Sequence, residues 1–542
     1  MGTGASAGVC AYVDTASQTE LAELLHVLPE PLKAKLNTAI STASTVAVGI
    51  DLPEGLQTMV SLHRTHQFDT SRLVPQKAIA DILEAVRSLP TSANTQPWTV
   101  IVVQGATRDV LAKKLLENFD AGTEGKMRYA AAPAKMTERL EKAAQTHKKE
   151  YYATHLGIKD GDKKSFCSKY RANFEFWGAP LHIVLCAPVG PCLLEEPPVD
   201  GVFLDMGSLM TAICLGAHDQ GLGVCPQFDL SKYEEVYRDT LGKEVLPEDL
   251  FVLCGVSIGY PAQGRNPKRE IEFSPSRLDV SETSRWASCD SSWLSAKSDS
   301  ATLGKHGLLQ LIKSRHGSHS LDTTKPVPKD YISSILSAAR YVYSFENTQP
   351  WHVTVIQGEA RDKLSKAMLA HFDAGNDGTQ TYKKYSAHNT AQMQKGKDIY
   401  GAELYEVRYG LQRDDKDGRR LKYRPNYEFW GAPVLLLLNL PKCAVAGTFV
   451  DVGSYMYAIL LGMHAYGLGG KPLGSVAKYT DICRKVLGNE AMPDDEHLVC
   501  GICIGWPSGG RDPRETPDWF PTRLTVEETT RWVVDADWSS KS

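Results

Sequence analysis

The side chains best placed for chemistry lie in a short polar loop, Pro90-Thr91-Ser92-Ala93-Asn94-Thr95-Gln96-Pro97-Trp98. Its hydroxyls and amides can hydrogen-bond the edge of a planar heterocycle, with Trp98 packed beneath. The plainer reading is that Thr91 and Asn94 only cap and turn the chain. A second set is cationic: Arg265, Lys268 and Arg269, and again Arg511 and Arg514. Each follows a strand-like run and a Gly-aromatic-Pro turn. Fixed cations there suit a phosphate, though a solvated basic turn reads the same way. A third is histidine: His63-x-x-His66 and His316-x-x-His319. Neither pair has a Cys or carboxylate at ligand spacing, so an anion-binding or solvent-facing role is expected, and no metal. HExxH and Walker A are absent from the sequence.

These sets recur because the chain is duplicated. Asn94-Thr95-Gln96-Pro97-Trp98 returns 253 positions later as Asn347-Thr348-Gln349-Pro350-Trp351. Phe174-Glu175-Phe176-Trp177-Gly178-Ala179-Pro180 returns at the same offset as Tyr427-Glu428-Phe429-Trp430-Gly431-Ala432-Pro433. Further on the offset is 246, linking Asp205-Met206-Gly207-Ser208 to Asp451-Val452-Gly453-Ser454, and Gly221-Leu222-Gly223 to Gly467-Leu468-Gly469. The first copy therefore carries a longer loop before Phe203, a change loops accept cheaply. A period this long is a repeated domain, not a solenoid. The expected division is an extension over 1–54, a first domain over 55–290, a linker over 291–304 and a second domain over 305–542.

The totals narrow the function. A net charge of −4 over 542 residues, with no basic stripe, argues against nucleic-acid binding. No apolar run reads as long enough to span a bilayer. Cys500-x-x-Cys503 sits in an apolar, strand-like run, so its thiols are expected to be buried rather than ligating. A reducing, cytoplasmic setting fits the twelve cysteines. Met1-Gly2-x-x-x-Ser6 meets the minimal N-myristoylation pattern at Gly2, a weak signal.

Each copy reads as α+β. Ile79, Ile82, Leu83 and Val86 mark a helical face over Pro75 to Ser88, matched by Ile332, Ile335 and Leu336 over Pro328 to Arg340. Strands are expected at Thr99 to Val103, Leu181 to Leu185 and Val252 to Ile258, and at His352 to Ile356, Val434 to Leu438 and Leu498 to Ile504. Helices are expected near Arg108 and Arg361, and long buried ones over Phe203 to His218 and Phe449 to His464. The Lys- and Tyr-rich stretches 123–170 and 376–423 read as variable helices, and Glu20 to Leu36 as one more.

Five words in this order resemble the FMN-dependent nitroreductase family. They are Arg315-His316-Gly317-Ser318-His319 near a domain start, the P-S-x-x-N-x-Q-P-W-like loop, R-x-N-F/Y-x-F-W-G-A-P, Gly-Leu-Gly after the buried helix, and Gly-Tyr/Trp-Pro followed by Lys or Arg. The resemblance implies two α/β/α sandwich domains with mixed central sheets. Members of that family are homodimers with swapped ends and two FMN sites at the subunit interface. The duplicated chain is then an intramolecular pseudo-dimer, monomeric as a chain.

On that basis a first site joins Arg315, His316, Ser318, His319, Arg511, Arg514 and the turn Gly467–Gly469 to Thr91, Ser92 and Asn94. A second joins His63, Arg64, His66, Lys268, Arg269 and the turn Gly221–Gly223 to Ser344 and Asn347. Amides of the two Gly-Leu-Gly turns are candidates to touch the flavin. Phe119, Phe372, Tyr152 and Tyr405 are candidate pocket walls. The second site has Leu62 where the leading Arg is expected, and Glu346 on its loop, so the first is expected to bind FMN more tightly. The implied activity is hydride transfer from NAD(P)H to electron-poor acceptors such as nitroaromatics and quinones, by alternating half-reactions. A dedicated biosynthetic flavin dehydrogenase or dehalogenase, and a non-catalytic flavin-binding or scaffold protein, stay open beside it.

Overall fold

The computed structural model describes residues 52–159, 161–287, 306–535 and 538. Gly2, the helix expected over Glu20 to Leu36 and the linker 291–304 lie outside the described residues. The first copy runs α1 (Glu54–Val60), α2 (Gln76–Val86), β1 (Thr99–Gln104), α3 (Ala106–Asp120), α4 (Glu138–Lys148), β2 (Leu181–Pro188), α5 (Asp200–Asp219), β3 (Gly223–Gln227), β4 (Leu250–Gly259) and β5 (Ser284–Ala287). The second repeats it as α6 (Leu308–Ser314), α7 (Lys329–Ala339), β6 (His352–Gln357), α8 (Gly358–Asp373), α9 (Ala391–Gly401), β7 (Val434–Pro441), α10 (Ala446–Ala465), β8 (Gly469–Leu473), β9 (Glu496–Gly505) and β10 (Thr530–Val533). Further short helices join these.

The sheets have the orders β10-β1-β2-β4-β3 and β5-β6-β7-β9-β8. Each copy therefore gives its last strand to the other copy's sheet. β10 lies parallel to β1 and β5 parallel to β6, while every other pairing is antiparallel. The edge strands β3, β5, β8 and β10 have no expectation in the sequence. β5 and β10 are only four residues long, too short for a period-two pattern to stand out.

α5 and α10 cross at the centre. Their 20-residue spans are apolar enough to cross a bilayer (mean hydropathy 1.3 and 1.2) but are wholly buried inside the protein. This corrects the expectation that no run reaches that length. The physical reason for the burial is the crossing itself. A Cβ on Gly207 would lie 1.9 Å from the Val450 carbonyl oxygen, and one on Gly453 would lie 2.0 Å from that of Leu204. The Ser208 hydroxyl donates to the Gly453 carbonyl and the Ser454 hydroxyl to the Gly207 carbonyl, each at 3.1 Å. Only hydrogen at the glycine positions lets the backbones come this close.

The strand exchange is fastened differently in the two halves. Arg285 of β5 makes a two-pronged contact with Glu496 of β9, at 2.8 and 2.6 Å, and His352 also meets that carboxylate. In the other half, Arg531 donates to the Val245 carbonyl at 2.9 Å and to no carboxylate among the described residues. Cys500 and Cys503 lie buried on β9, with Cys500 Sγ 3.8 Å from Met456 Sδ and Cys503 Sγ donating to the Lys471 carbonyl. Three positions apart on a strand, they face opposite sides of the sheet, so they form no ligand pair.

Substituting Gly207→Ala should lower stability by about 1–3 kcal/mol, because the methyl must push two packed backbones apart. Urea unfolding against the unsubstituted chain measures this. Burial raises the Glu496 carboxyl, but its hydrogen bonds to Arg285 and His352 outweigh that and hold it down to about 2, against an ordinary 4.5. A depressed carboxyl stabilises fully above its unfolded value and loses that as pH falls through its folded value. Thermal stability should therefore fall between pH 4.5 and 2, and Glu496→Gln should flatten that part of a melting-temperature profile.

Candidate functional site

Each polar loop is held in a conformation that costs energy. Ala93, Asn94 and Gln96 have φ of 51°, 61° and 44°, and Glu346, Asn347 and Gln349 have 48°, 55° and 48°. Three non-glycine residues in the left-handed region of each loop mark a strain that the surroundings must over-determine. The supports are symmetric. Asp205 of α5 accepts the Ser92 N–H at 3.1 Å, and Asp451 of α10 accepts the Phe345 N–H at 3.0 Å. Burial raises both carboxyls, Asp205 to about 7. The two aspartates ride on the crossing helices, which place both loops at the boundary between the copies.

Across that boundary, the basic motif of each copy lies against the polar loop region of the other. In the first site, Arg315 Nη2 donates to the Ser88 carbonyl at 3.2 Å. Arg315 is 2 % exposed, and its Nε and Nη1 have no hydrogen-bond partner among the described residues. Burial pulls its pKa down to about 10. Lys471, drawn down to about 8 by burial, holds its ammonium 4.0 Å from the Trp430 ring centre. His319 Nδ1, Arg408 and Arg511 approach one carboxylate, Asp518, at 3.4, 3.5 and 3.9 Å. His316 is spent on the Ser314 carbonyl at 3.1 Å. Arg514 is paired with Asp512 and donates to the Ala465 carbonyl. The surplus is positive and partly buried, which suits an anionic group.

The second site is a narrow cleft whose walls include His63, Arg64, Tyr151, Arg277, Tyr343 and Asn347. The Tyr343 hydroxyl donates to the His63 carbonyl at 2.7 Å, and Arg64 lies 5.8 Å from the Tyr343 ring centre. His63 Nδ1 meets the Ser61 carbonyl at 2.9 Å. Lys268 is paired with Asp219 at 3.1 Å, and Arg269 is exposed. Glu346 is met by Lys148 at 3.3 Å, which offsets the carboxylate expected to weaken this site.

The packing shows how the sites diverged. A Cβ on Gly223 would meet Thr65 Oγ1, and one on Gly469 would meet Ser318 Oγ, each at 2.5 Å. Thr65 and Ser318 are therefore equivalent, which sets Arg64 against Gly317 and Leu62 against Arg315. A Cβ on Gly317 would lie 3.4 Å from Lys471 Cβ, and the residue equivalent to Lys471 is Cys225. One cation has moved between neighbouring positions: Arg64 beside Cys225 in one site, Lys471 beside Gly317 in the other.

Several expectations are corrected. Asn94 does not offer its amide to a ligand. Its Nδ2 donates to the carbonyls of Gly396 and Thr522 at 3.1 and 3.0 Å, and Arg523 holds its Oδ1. Asn347 likewise donates to the Ser276 carbonyl and accepts from Arg277. Both clamp the copies together. Thr91 and Ser344 accept the N–H of Gln96 and Gln349 at 3.2 and 3.1 Å. Trp98 is core, and Trp351 stacks on Tyr455 of α10 at 4.3 Å. The N–H groups of Gly221 and Gly467 bond to the His218 and His464 carbonyls, capping α5 and α10. Phe119 of α3 stacks on Phe174 at 4.3 Å and lies half-buried against the core, and Phe372 of α8 packs on Tyr427 at 5.0 Å within it, so neither serves as a pocket wall. Tyr152 stands behind its neighbour Tyr151, and Tyr405 meets the Tyr423 hydroxyl at 3.3 Å. The sequence reading missed Tyr151, His147, Arg277, Arg523 and Lys471. His147, Tyr151 and His155 fall four apart, a helical spacing that marks one face.

The chain belongs to the nitroreductase family: the profile of the Nitroreductase family matches residues 63–260 and 312–506. It is 27 % identical over 210 residues to a chloronitrobenzene nitroreductase of Comamonas testosteroni, covering 39 % of this chain and 89 % of the relative. It is 29 % identical over 198 residues to the nitroreductase NfnB of Mycolicibacterium smegmatis, covering 36 % and 81 %. Among solved structures, the FMN-dependent nitroreductase NfnB from Mycobacterium smegmatis in complex with NADPH matches at 26 % identity, covering 42 % of this chain and 96 % of that one, with a TM-score of 0.37.

Replacing Asn94→Ala leaves the carbonyls of Gly396 and Thr522 and the Arg523 guanidinium without this partner. It should cost about 1–3 kcal/mol, the penalty for orphaned buried polar groups, read as a shift in the urea midpoint.

Proposed function

We propose that this chain is an FMN-dependent oxidoreductase that takes hydride from NAD(P)H and delivers it to electron-poor small molecules, nitroaromatics and quinones among them. The observation that carries this is Arg315, a buried guanidinium with unspent donors, set at the boundary between the copies behind the strained loop of the first. Buried cations persist when an anion completes them, and a flavin phosphate is such an anion. The activities for which these relatives are named support the same reading.

The bound flavin supplies the hydride chemistry. The chain's own groups position and balance charge. Arg315, Lys471, Arg408 and Arg511 would hold the anionic part in the first site; Arg64 and Arg277 would do so in the second. The loops carrying Thr91 and Ser344 present hydroxyls that keep a proton to donate. No side chain needs to act as general acid or base, so the donor and the acceptor can use one place in turn. Covalent fusion keeps each copy at an effective concentration of about millimolar for the other, which favours a monomeric chain. It also frees the two sites to differ, and the first, with Arg315, is the tighter in this reading.

The test is the visible spectrum of the purified protein, with released flavin counted per chain. A flavin spectrum that bleaches anaerobically with NADPH or NADH is expected. Arg315→Ala should weaken retention at one site about 10–100-fold, as losing a charge-assisted hydrogen bond of about 1.5–3 kcal/mol implies. A protein that takes up no flavin from excess FMN would refute the proposal.

A further inference from the structure

Behind the wall of the second cleft, three residues converge, of which only His66 was expected to face the flavin. One ligating atom from each of His66, His155 and Glu272 lies within 4.8 Å of the others. His66 is 7 % exposed, and its Nδ1 has no hydrogen-bond partner among the described residues. Its Nε2 meets the Tyr151 hydroxyl at 3.1 Å, which fixes the ring and turns Nδ1 towards Glu272 Oε1, 3.7 Å away. The hydrogen bonds from the His66 N–H and from Arg265 both end on Glu272 Oε2, so Oε1 is the oxygen facing His66. His155 stacks on Phe273 at 4.7 Å, and Trp177 stands edge-on to His66 at 4.6 Å, so both rings are held.

We propose that His66, His155 and Glu272 bind a divalent metal ion of the zinc class, with a fourth position left to water. Two imidazoles and one carboxylate form a donor set that zinc accepts with an open position. Tyr151 is the supporting partner that orients a ligating imidazole. Burial keeps both rings neutral, the ligating form: it lowers His66 well below its usual range, with Arg64 adding to this, and lowers His155 as well.

The other copy shows what the same scaffold does without this set. His319 and Asp518 are the counterparts of His66 and Glu272, but the place of His155 is taken by Arg408, 3.5 Å from Asp518. A guanidinium there excludes a cation. In the second site the guanidinium has become an imidazole, which turns an ion-paired cluster into a ligand set. Arg64 and Arg265 oppose a divalent charge nearby, so binding depends on all three ligands together. The inference does not rest on the flavin reading.

The experiment is a titration of the chelator-treated full-length protein with Co²⁺ alone, followed by its visible d–d absorption, then displacement by Zn²⁺. One equivalent of Co²⁺ with an intense four-coordinate spectrum is expected. His155→Arg, which installs the second copy's arrangement, and the near-isosteric Glu272→Gln should each weaken binding about a hundredfold or more, since losing even a supporting partner costs about 10–100-fold. Absence of the spectrum in the unsubstituted protein, or its survival in either variant, would overturn the proposal. Flavin content is counted in the same samples, so a failed metal site and a failed flavin site are told apart.

Discussion

The close crossing of α5 and α10 is the constraint on which the rest of the structure depends. Gly207 and Gly453 let two buried backbones touch, and Ser208 and Ser454 tie them with reciprocal hydrogen bonds. The same helices carry Asp205 and Asp451, which fix the strained loops. They also end in the Gly-Leu-Gly caps that press on Thr65 and Ser318. Position the crossing, and the loops, the caps and the basic motifs of opposite copies meet. The exchanged strands β5 and β10 then close each sheet with the other copy's chain, so neither half is complete alone.

Duplication with fusion has let the two sites drift while the backbone stayed the same. Both loops keep the same three left-handed residues, although one reads Ala93 and Asn94 and the other Glu346 and Asn347. A non-glycine residue held there costs of order 1–3 kcal/mol, so the retention of the shape in both copies argues that both loops are used. Charge has been redistributed instead. One site keeps Arg315 and Lys471; the other keeps Arg64 and gains His147 and His155 around Tyr151. Burial pushes His147 down to about 3, so that ring adds no charge to a wall whose cations are Arg64 and Arg277. Both sites stay cationic, with Arg523 lowered only to about 9 and its counterpart Arg277 only to about 10. The two pockets therefore differ in where their cations stand, not in the sign of their charge.

Much of this was legible before folding. The doubled Trp-bearing words gave the tandem arrangement, and apolar periodicity gave α2, α5, α7, α10 and the central strands to within a few residues. Residue identities marked Arg315 and the missing arginine at Leu62. What was not legible has physical causes. The four-residue strands β5 and β10 exist because a partner edge is available, not because of any pattern of their own. Phe119 and Phe372 look like pocket aromatics by type, but α3 and α8 turn them towards core aromatics, Phe174 and Tyr427. Asn94 looks like a ligand contact by type, yet the opposite copy uses its whole amide.

The sequence by itself determined the duplication, the family and the set of polar residues at the interface, because identity and order along the chain carry those directly. Only the tertiary structure decided which of these side chains remain free to bind anything. Hydrogen-bond capacity is finite: whether Asn94, His63, Lys268 or Arg514 is spent on the protein depends on which groups the opposite copy brings within 3 Å or so, and chain order does not record that distance. The juxtaposition of His66, His155 and Glu272, drawn from three distant stretches, is decided in the same way, by packing across the fold.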